Sequence, residues 1–135
     1  MTGLTFEPKA LDALHLAWRR ISAQFLVWDA TDLAGLGARN FSFRTVVDSA
    51  MFHILSDTER DRFIAGLTDV VPSGGLYCVL GDARRDNRSI YGITPREIQQ
   101  RFAKASGWEG IFAFQTVFER QWSRNPAYFI GVQRR

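Results

Sequence analysis

The sequence predicts an α/β fold with a mostly parallel sheet, and three observations carry this prediction. Residues 43–47 and 76–80 are short apolar runs rich in β-branched side chains, as buried strands are. Between them, residues 58–70 repeat apolar positions at helical spacing with charged residues in between. The Pro-Ser-Gly-Gly segment at 72–75 ends that helix and turns the chain. Strand, helix and strand in this order form one crossover unit of a parallel sheet.

Polar side chains follow both predicted strands at the points where the strands end. Asp48, Ser49 and His53 come after the first strand, and Asp82 comes after the second. In an open α/β sheet the ligand crevice lies outside the carboxyl ends of the strands. We therefore expect a binding site at this edge of the sheet.

The ordered series in this segment resembles the middle of class I S-adenosylmethionine-dependent methyltransferases, in particular the small-molecule branch near the thiopurine-type enzymes. The series consists of VVDSAMFHILSD, a charged helix and VVPSGGLYCVL. A lone Pro-x-Gly-Gly is a weak signal, but this ordered series covers some forty residues. The resemblance implies a Rossmann-like sheet, mostly parallel, whose final strand is antiparallel.

The resemblance extends over nearly the whole chain. It implies that residues 3–11 form the family's second strand and the start of the next helix, and that residues 24–30 form the third strand. Downstream, it implies a helix over residues 94–106 and two final, antiparallel-paired strands over 111–119 and 128–133.

The family's first strand, first helix and Gly-x-Gly-x-Gly cofactor loop have no counterpart in the sequence. We therefore expect residues 1–135 to be a single methyltransferase-like domain truncated at its N-terminus. The missing strand is central in the family's sheet, so its neighbours would be left with unpaired backbone groups. Either these neighbours close up, or a second copy donates a strand, or a separate chain completes the sheet. We expect a homodimer or a strand-donating partner rather than a monomer.

The resemblance also implies S-adenosylmethionine as cofactor and assigns its site residues. Asp29 and Ala30 would lie at the adenine, Asp48 and Ser49 near the methyl donor, and His53 would be a possible base. Each carboxylate has a plainer interpretation, since Asp29 and Asp48 both stand where turns and helices are capped. His53 has one too, as a residue on a half-buried helical face.

Two functions therefore stay open. One is methylation of a small molecule, which requires a rebuilt cofactor pocket. The other is a catalytically inactive remnant that dimerises or binds proteins. Because the cofactor loop is absent, the sequence leaves open whether the chain is an enzyme.

Composition argues against several other classes of function. The net charge of +3 comes from dispersed arginines without a basic stripe, so we expect no nucleic-acid partner. One cysteine, Cys78, excludes a disulfide framework, and no paired His or Cys has metal-ligand spacing. No apolar run approaches the ~20 residues that cross a bilayer. We expect a cytoplasmic location and no membrane partner.

Overall fold

The computed structural model describes residues 22–135, and the predictions for residues 3–11 lie outside this range. Four strands and three α-helices follow one another in the described part: α1 (Leu33–Ala38), β1 (Thr45–Ser49), α2 (Asp57–Val70), β2 (Leu76–Asp82), α3 (Pro95–Ala105), β3 (Trp108–Arg120) and β4 (Ser123–Arg134). Two short 3-10 turns, Ala30–Asp32 and Phe52–Ile54, precede α1 and α2. The predicted crossover unit and the helix and strands after it are confirmed.

The four strands form one sheet in the order β1-β2-β4-β3. β1 pairs parallel with β2, with Val47 opposite Cys78. β4 pairs antiparallel with both β2 and β3, so it alone among the described strands runs in the opposite direction. The prediction of a mostly parallel sheet with an antiparallel final strand is therefore confirmed.

α2 begins where a capping box satisfies its first backbone amides. Ser56 Oγ accepts from the Glu59 amide at 3.3 Å, and Glu59 Oε1 accepts from the Ser56 amide at 2.9 Å. The helix then buries one face against the sheet through Phe63, Ile64, Leu67 and Val70. The chain leaves the helix before Pro72, which has no amide hydrogen with which to continue it.

α3 begins at Pro95, which follows the capping residue Thr94. Ile98 and Phe102, one turn apart, are buried against the sheet. The helix ends at Ser106, whose φ of 67° breaks the helical path. A row of aromatic contacts joins both helices to the sheet, through Phe52, Phe63, Tyr77, Phe102 and Trp108. This row is the centre of the core.

The prediction of a strand over residues 24–30 is wrong for most of its length. Of residues 24–30 only Trp28 takes part in a bridge, and a 3-10 turn begins at Ala30. Leu26 and Val27 are 41% and 62% exposed. Apolar, β-branched composition alone does not make a strand, since strand formation depends on the tertiary context of the segment. None of the helices in residues 22–135 has the length and hydrophobicity needed to cross a bilayer.

Candidate functional site

A cleft of about 370 Å³ lies beside β1 and reaches its carboxyl end. Its walls are mostly apolar, with Trp28, Leu33 and Met51 among them, and its polar residues include Asp48 and Ser49. The predicted site residue Ala30 also lines it. The structure thus brings Ala30, Asp48 and Ser49 together.

The Asp48 carboxylate accepts three hydrogen bonds from inside the protein. Oδ1 accepts from the Met51 amide at 2.9 Å, and Oδ2 accepts from the Phe52 amide at 3.1 Å and from the Tyr77 hydroxyl at 2.6 Å. Burial raises the pKa of Asp48 and outweighs the hydrogen bond from Tyr77, which acts to lower it. The alternative interpretation of Asp48 as a capping residue is therefore confirmed. Ser49, by contrast, is exposed at the cleft, and its cofactor role stays a prediction.

Asp29 caps the turn that contains Ala30. Its Oδ1 accepts from the Thr31 amide at 2.8 Å and from the Thr31 hydroxyl at 2.7 Å. These two bonds, the hydroxyl first, lower the pKa of Asp29, so the group is ionised at neutral pH. Asp29 Oδ2 has no hydrogen-bond partner among the described residues, which leaves one oxygen for a ligand. The adenine contact predicted for Asp29 stays a prediction.

His53 is buried and held in one tautomer. Its Nδ1 accepts from the Asp82 amide at 2.8 Å, so in the neutral ring the proton is on Nε2. Burial lowers the pKa of His53 and outweighs the Asp82 carboxylate, which acts to raise it. The rings of Tyr91 and Phe118 lie 5.0 and 6.4 Å from the imidazole. His53 at 3% exposure is thus more deeply buried than the predicted half-buried face, and its role as a base stays a prediction.

A second polar cluster forms around Asp82 at the end of β2. The Asp82 carboxylate accepts from the Tyr91 hydroxyl and from Arg120 Nη2, the latter at 2.8 Å. Sequence reasoning placed Asp82 at this edge of the sheet but assigned it no role. It missed Tyr91 and Arg120, which are 9 and 38 residues from Asp82 and carry no local signal.

Arg60 fixes the loops that carry this cluster. The side chain is fully buried on α2, and its guanidinium donates to the carbonyls of His53, Leu55, Ile90 and Gly92. It also forms an ion pair of 2.9 Å with Glu97 on α3. Arg60 therefore ties the turn that contains His53 to the loop that contains Tyr91.

A metal site is not formed by the part of the chain that the structure describes, since no three His, Cys, Asp or Glu side chains lie together there. The apolar wall of the cleft beside β1 can receive a flat ring, and Ser49 is a polar residue in its lining. Asp29 is not among the lining residues, although its neighbours Trp28 and Ala30 are. Residues 22–135 contain no glycine loop before the first strand that would receive the methionine part.

No family model matches the sequence, but solved structures share its fold. A protein studied for the conversion of a disulfide bond into a thioacetal group during echinomycin biosynthesis is 19% identical, with a TM-score of 0.70, over 94% of this chain and 63% of its own. An S-adenosylmethionine-dependent methyltransferase from Methanosarcina mazei is 15% identical, with a TM-score of 0.71, over 95% of this chain and 78% of its own. The 1,6-didemethyltoxoflavin N1-methyltransferase of Burkholderia thailandensis, solved with bound 1,6-didemethyltoxoflavin and S-adenosylhomocysteine, is 11% identical, with a TM-score of 0.68, over 96% of this chain and 58% of its own.

These likenesses confirm the fold predicted from the sequence. The chain has the fold of class I S-adenosylmethionine-dependent methyltransferases. It spans less than two thirds of the first and third of these solved proteins.

Proposed function

We propose that this chain is a methyltransferase-like domain that binds S-adenosylmethionine and acts on a small molecule. The observation that carries the proposal is the cleft at the carboxyl end of β1, in a chain with the fold of the methyltransferases. Ligands of open α/β sheets bind at this end of the strands. The bound cofactor would supply an activated methyl group.

In this proposal the chain's own residues hold the adenosine part of the cofactor. The Asp29 oxygen that Thr31 leaves free accepts from the adenine amino group, and the small side chain of Ala30 leaves room for the ring. Ser49 offers its hydroxyl at the carboxyl end of β1. Asp48 holds the turn after β1 through three hydrogen bonds, and its Oδ1, which accepts only one of them, has a lone pair left for the cofactor.

The test is a calorimetric titration of the 135-residue chain with S-adenosylhomocysteine. We expect saturable binding in the micromolar range and a loss of roughly ten-fold or more in affinity for Asp29→Ala, because a hydrogen bond to a charged acceptor is lost. Thr31→Val is the matched control. This variant removes the bond from the Thr31 hydroxyl but keeps the bond from the amide and the Asp29 carboxylate itself. Its affinity for S-adenosylhomocysteine should therefore stay within a few-fold of that of the original chain.

Two results would count against the cofactor site. No heat from a folded sample would remove the proposed function. Equal weakening by Asp29→Ala and Thr31→Val would show that the cap, and not the carboxylate, matters for binding. Thermal melting of both variants establishes that each sample is folded.

A second candidate function, a dimerising module, rests on the edge of β1 that has no partner strand among residues 22–135. Among the described strands β1 pairs only with β2, and Val47 on β1 is 71% exposed. An exposed strand edge can pair with another chain. We propose a second copy of this chain as the partner, because Thr45, Val46 and Val47 are uncharged and two copies of this edge meet without like-charge repulsion.

Light scattering of the purified chain tests the dimer. We expect twice the monomer mass at micromolar concentration and dissociation by Val47→Lys, since a charge at an edge disfavours pairing. Trp122→Lys is the control, because Trp122 is 89% exposed in the turn between β3 and β4, outside the edge of β1. A monomeric mass for the original chain would refute this candidate.

A further inference from the structure

One face of the sheet is apolar and is left open by α2 and α3. These helices pack on the opposite face, where the rings of Phe63 and Phe102 lie 5.5 and 5.7 Å from the Tyr77 ring. Successive side chains of a strand point to opposite faces, so Cys78 and Leu80 lie on the side away from both helices. We call this side the outer face. Its apolar side chains on the four strands are Val47, Cys78, Leu80, Phe112, Phe114 and Phe129.

The apolar side chains of the outer face are neighbours across the sheet. Val47 on β1 is the register partner of Cys78 on β2, and Phe129 on β4 lies between Leu80 and Phe114. Val47 and Phe114 are 71% and 59% exposed. Large exposed apolar patches mark contact surfaces, and parallel strands such as β1 and β2 are normally covered on both faces. We therefore expect another segment to cover the outer face.

Residues 8–21, which precede the described part of the chain, have the sequence pattern of such a covering segment. Large apolar side chains recur there three or four positions apart, as on one side of a helix, and form an apolar stripe of Leu11, Leu14, Trp18 and Ile21. The charged residues of a helix over this range fall outside the stripe, and they are Lys9, Asp12, Arg19 and Arg20. Pro8 suits the first turn of a helix, where its missing amide hydrogen costs nothing. The sequence of residues 8–21 is therefore typical of an amphipathic helix.

The length of this segment and the point at which it joins the described part suit the outer face. Gln24 and Leu26 line the same cleft as Val47, so the chain enters the described part close to β1 and to one side of the outer face. A helix over residues 8–21 would be roughly 20 Å long. The two outermost strands of a four-stranded sheet lie roughly 15 Å apart. One helix of this length can therefore cross all four strands.

We propose that residues 8–21 of this same chain form an amphipathic helix whose apolar stripe docks on the outer face. The helix would bury the rings of Phe114 and Phe129 and would turn its charged side to solvent. A tethered segment acts at an effective concentration on the order of 1 mM, whereas a second copy of the chain must associate from micromolar solution. The chain's own segment is therefore favoured over a second copy as the occupant. Cofactor binding is not needed for this contact.

Nuclear Overhauser contacts in NMR spectra of the full chain test which segment covers the outer face. In a uniformly isotope-labelled sample we expect contacts between the Trp18 indole and the ring protons of Phe114 or Phe129. A mixture of labelled and unlabelled chains, recorded with isotope filtering, detects only contacts between two copies, and we expect none of these contacts there. Their presence in the filtered spectrum would overturn the proposal in favour of a second copy. The absence of any contact between residues 8–21 and the outer face would also overturn it.

Leu14→Asp places a charge in the apolar stripe and should release the helix from the outer face. Leu16→Asp is the matched control, because two residues turn a helix by roughly 200° and so place Leu16 on the side away from the sheet. We expect Leu14→Asp to remove the Trp18 contacts and to lower the melting temperature by roughly 5 °C or more. Leu16→Asp should keep both the contacts and the melting temperature of the original chain. Equal shifts in melting temperature for the two variants would overturn the proposal.

Discussion

Replacement of Arg60 by Met tests how strongly the buried guanidinium holds the site together. Met keeps an apolar stem of similar length but donates no hydrogen bond. The Leu55 carbonyl, which Arg60 Nε contacts at 3.0 Å, would lose its only hydrogen-bond donor among the described residues. The Ile90 carbonyl and Glu97 would each keep a bond from Arg84.

The magnitude follows from these contacts. Leaving one buried carbonyl without a donor costs about 1–3 kcal/mol, and removing one partner of a buried ion pair costs about 3–5 kcal/mol. Glu97 retains ion pairs with Arg84 at 2.5 Å and with Arg101 at 2.8 Å, so its charge is not left alone. We therefore expect Arg60→Met to lower the free energy of unfolding by about 3 kcal/mol, near the low end of the second range.

Urea unfolding followed by far-UV circular dichroism measures this loss. Arg101→Met is the matched control, because Arg101 pairs mainly with the exposed carboxylates Asp57 and Asp61 in addition to Glu97. Exposed ion pairs contribute about 0–1 kcal/mol, so the control should lose about 1 kcal/mol. Two results would refute the view that burial makes Arg60 contribute more to stability than Arg101. One is a decrease in the free energy of unfolding below about 1 kcal/mol for Arg60→Met, and the other is a larger decrease for Arg101→Met than for Arg60→Met.

Two further predictions concern pH and packing. Because burial lowers the pKa of His53 in the folded state, its contribution to stability is present above about pH 6.5, the unfolded value, and is lost as pH falls toward the folded pKa. In His53→Asn the new side-chain carbonyl can accept from the Asp82 amide but does not titrate. The urea midpoint of this variant should therefore change less between pH 7 and pH 5 than that of the original chain. An unchanged pH dependence would assign the loss of stability to other groups. Gly131→Ala should cost about 1–3 kcal/mol, because the added Cβ would lie 2.3 Å from Phe112 Cε2. Gly110→Ala, with nothing within 4 Å, should not destabilise the chain in the same thermal melts, and equal losses for the two would contradict the packing argument.

Local sequence signals predicted most elements of the fold. The apolar spacing over 58–70 predicted α2, which begins at Asp57, and the helix implied over 94–106 begins at Pro95. The β-branched runs at 43–47 and 76–80 lie in or beside β1 and β2. The prediction of a strand over 24–30 is wrong for most of its length, because apolar composition does not by itself specify a strand.

The candidate site was only partly predictable. The sequence indicated that Asp48, Ser49 and Asp82 lie at the carboxyl ends of strands, since each directly follows or ends an apolar run. The sequence left open whether Asp48 caps a turn or binds a ligand. One donor to its carboxylate is the Tyr77 hydroxyl, which is 29 residues away in the sequence. Nothing near Arg60 in the sequence distinguishes it from the exposed charges of the same helix.

The sequence by itself therefore determined the order and type of the elements from β1 onward and the edge of the sheet at which polar groups collect. Tertiary structure decided which of those groups are occupied and which are free. The reason is range: caps and periodicity depend on residues within one or two turns, whereas the partners of Asp48, Arg60 and Asp82 come from residues up to 38 positions away. Burial and these distant partners shift the pKa values of the site groups, and only folding brings the partners together.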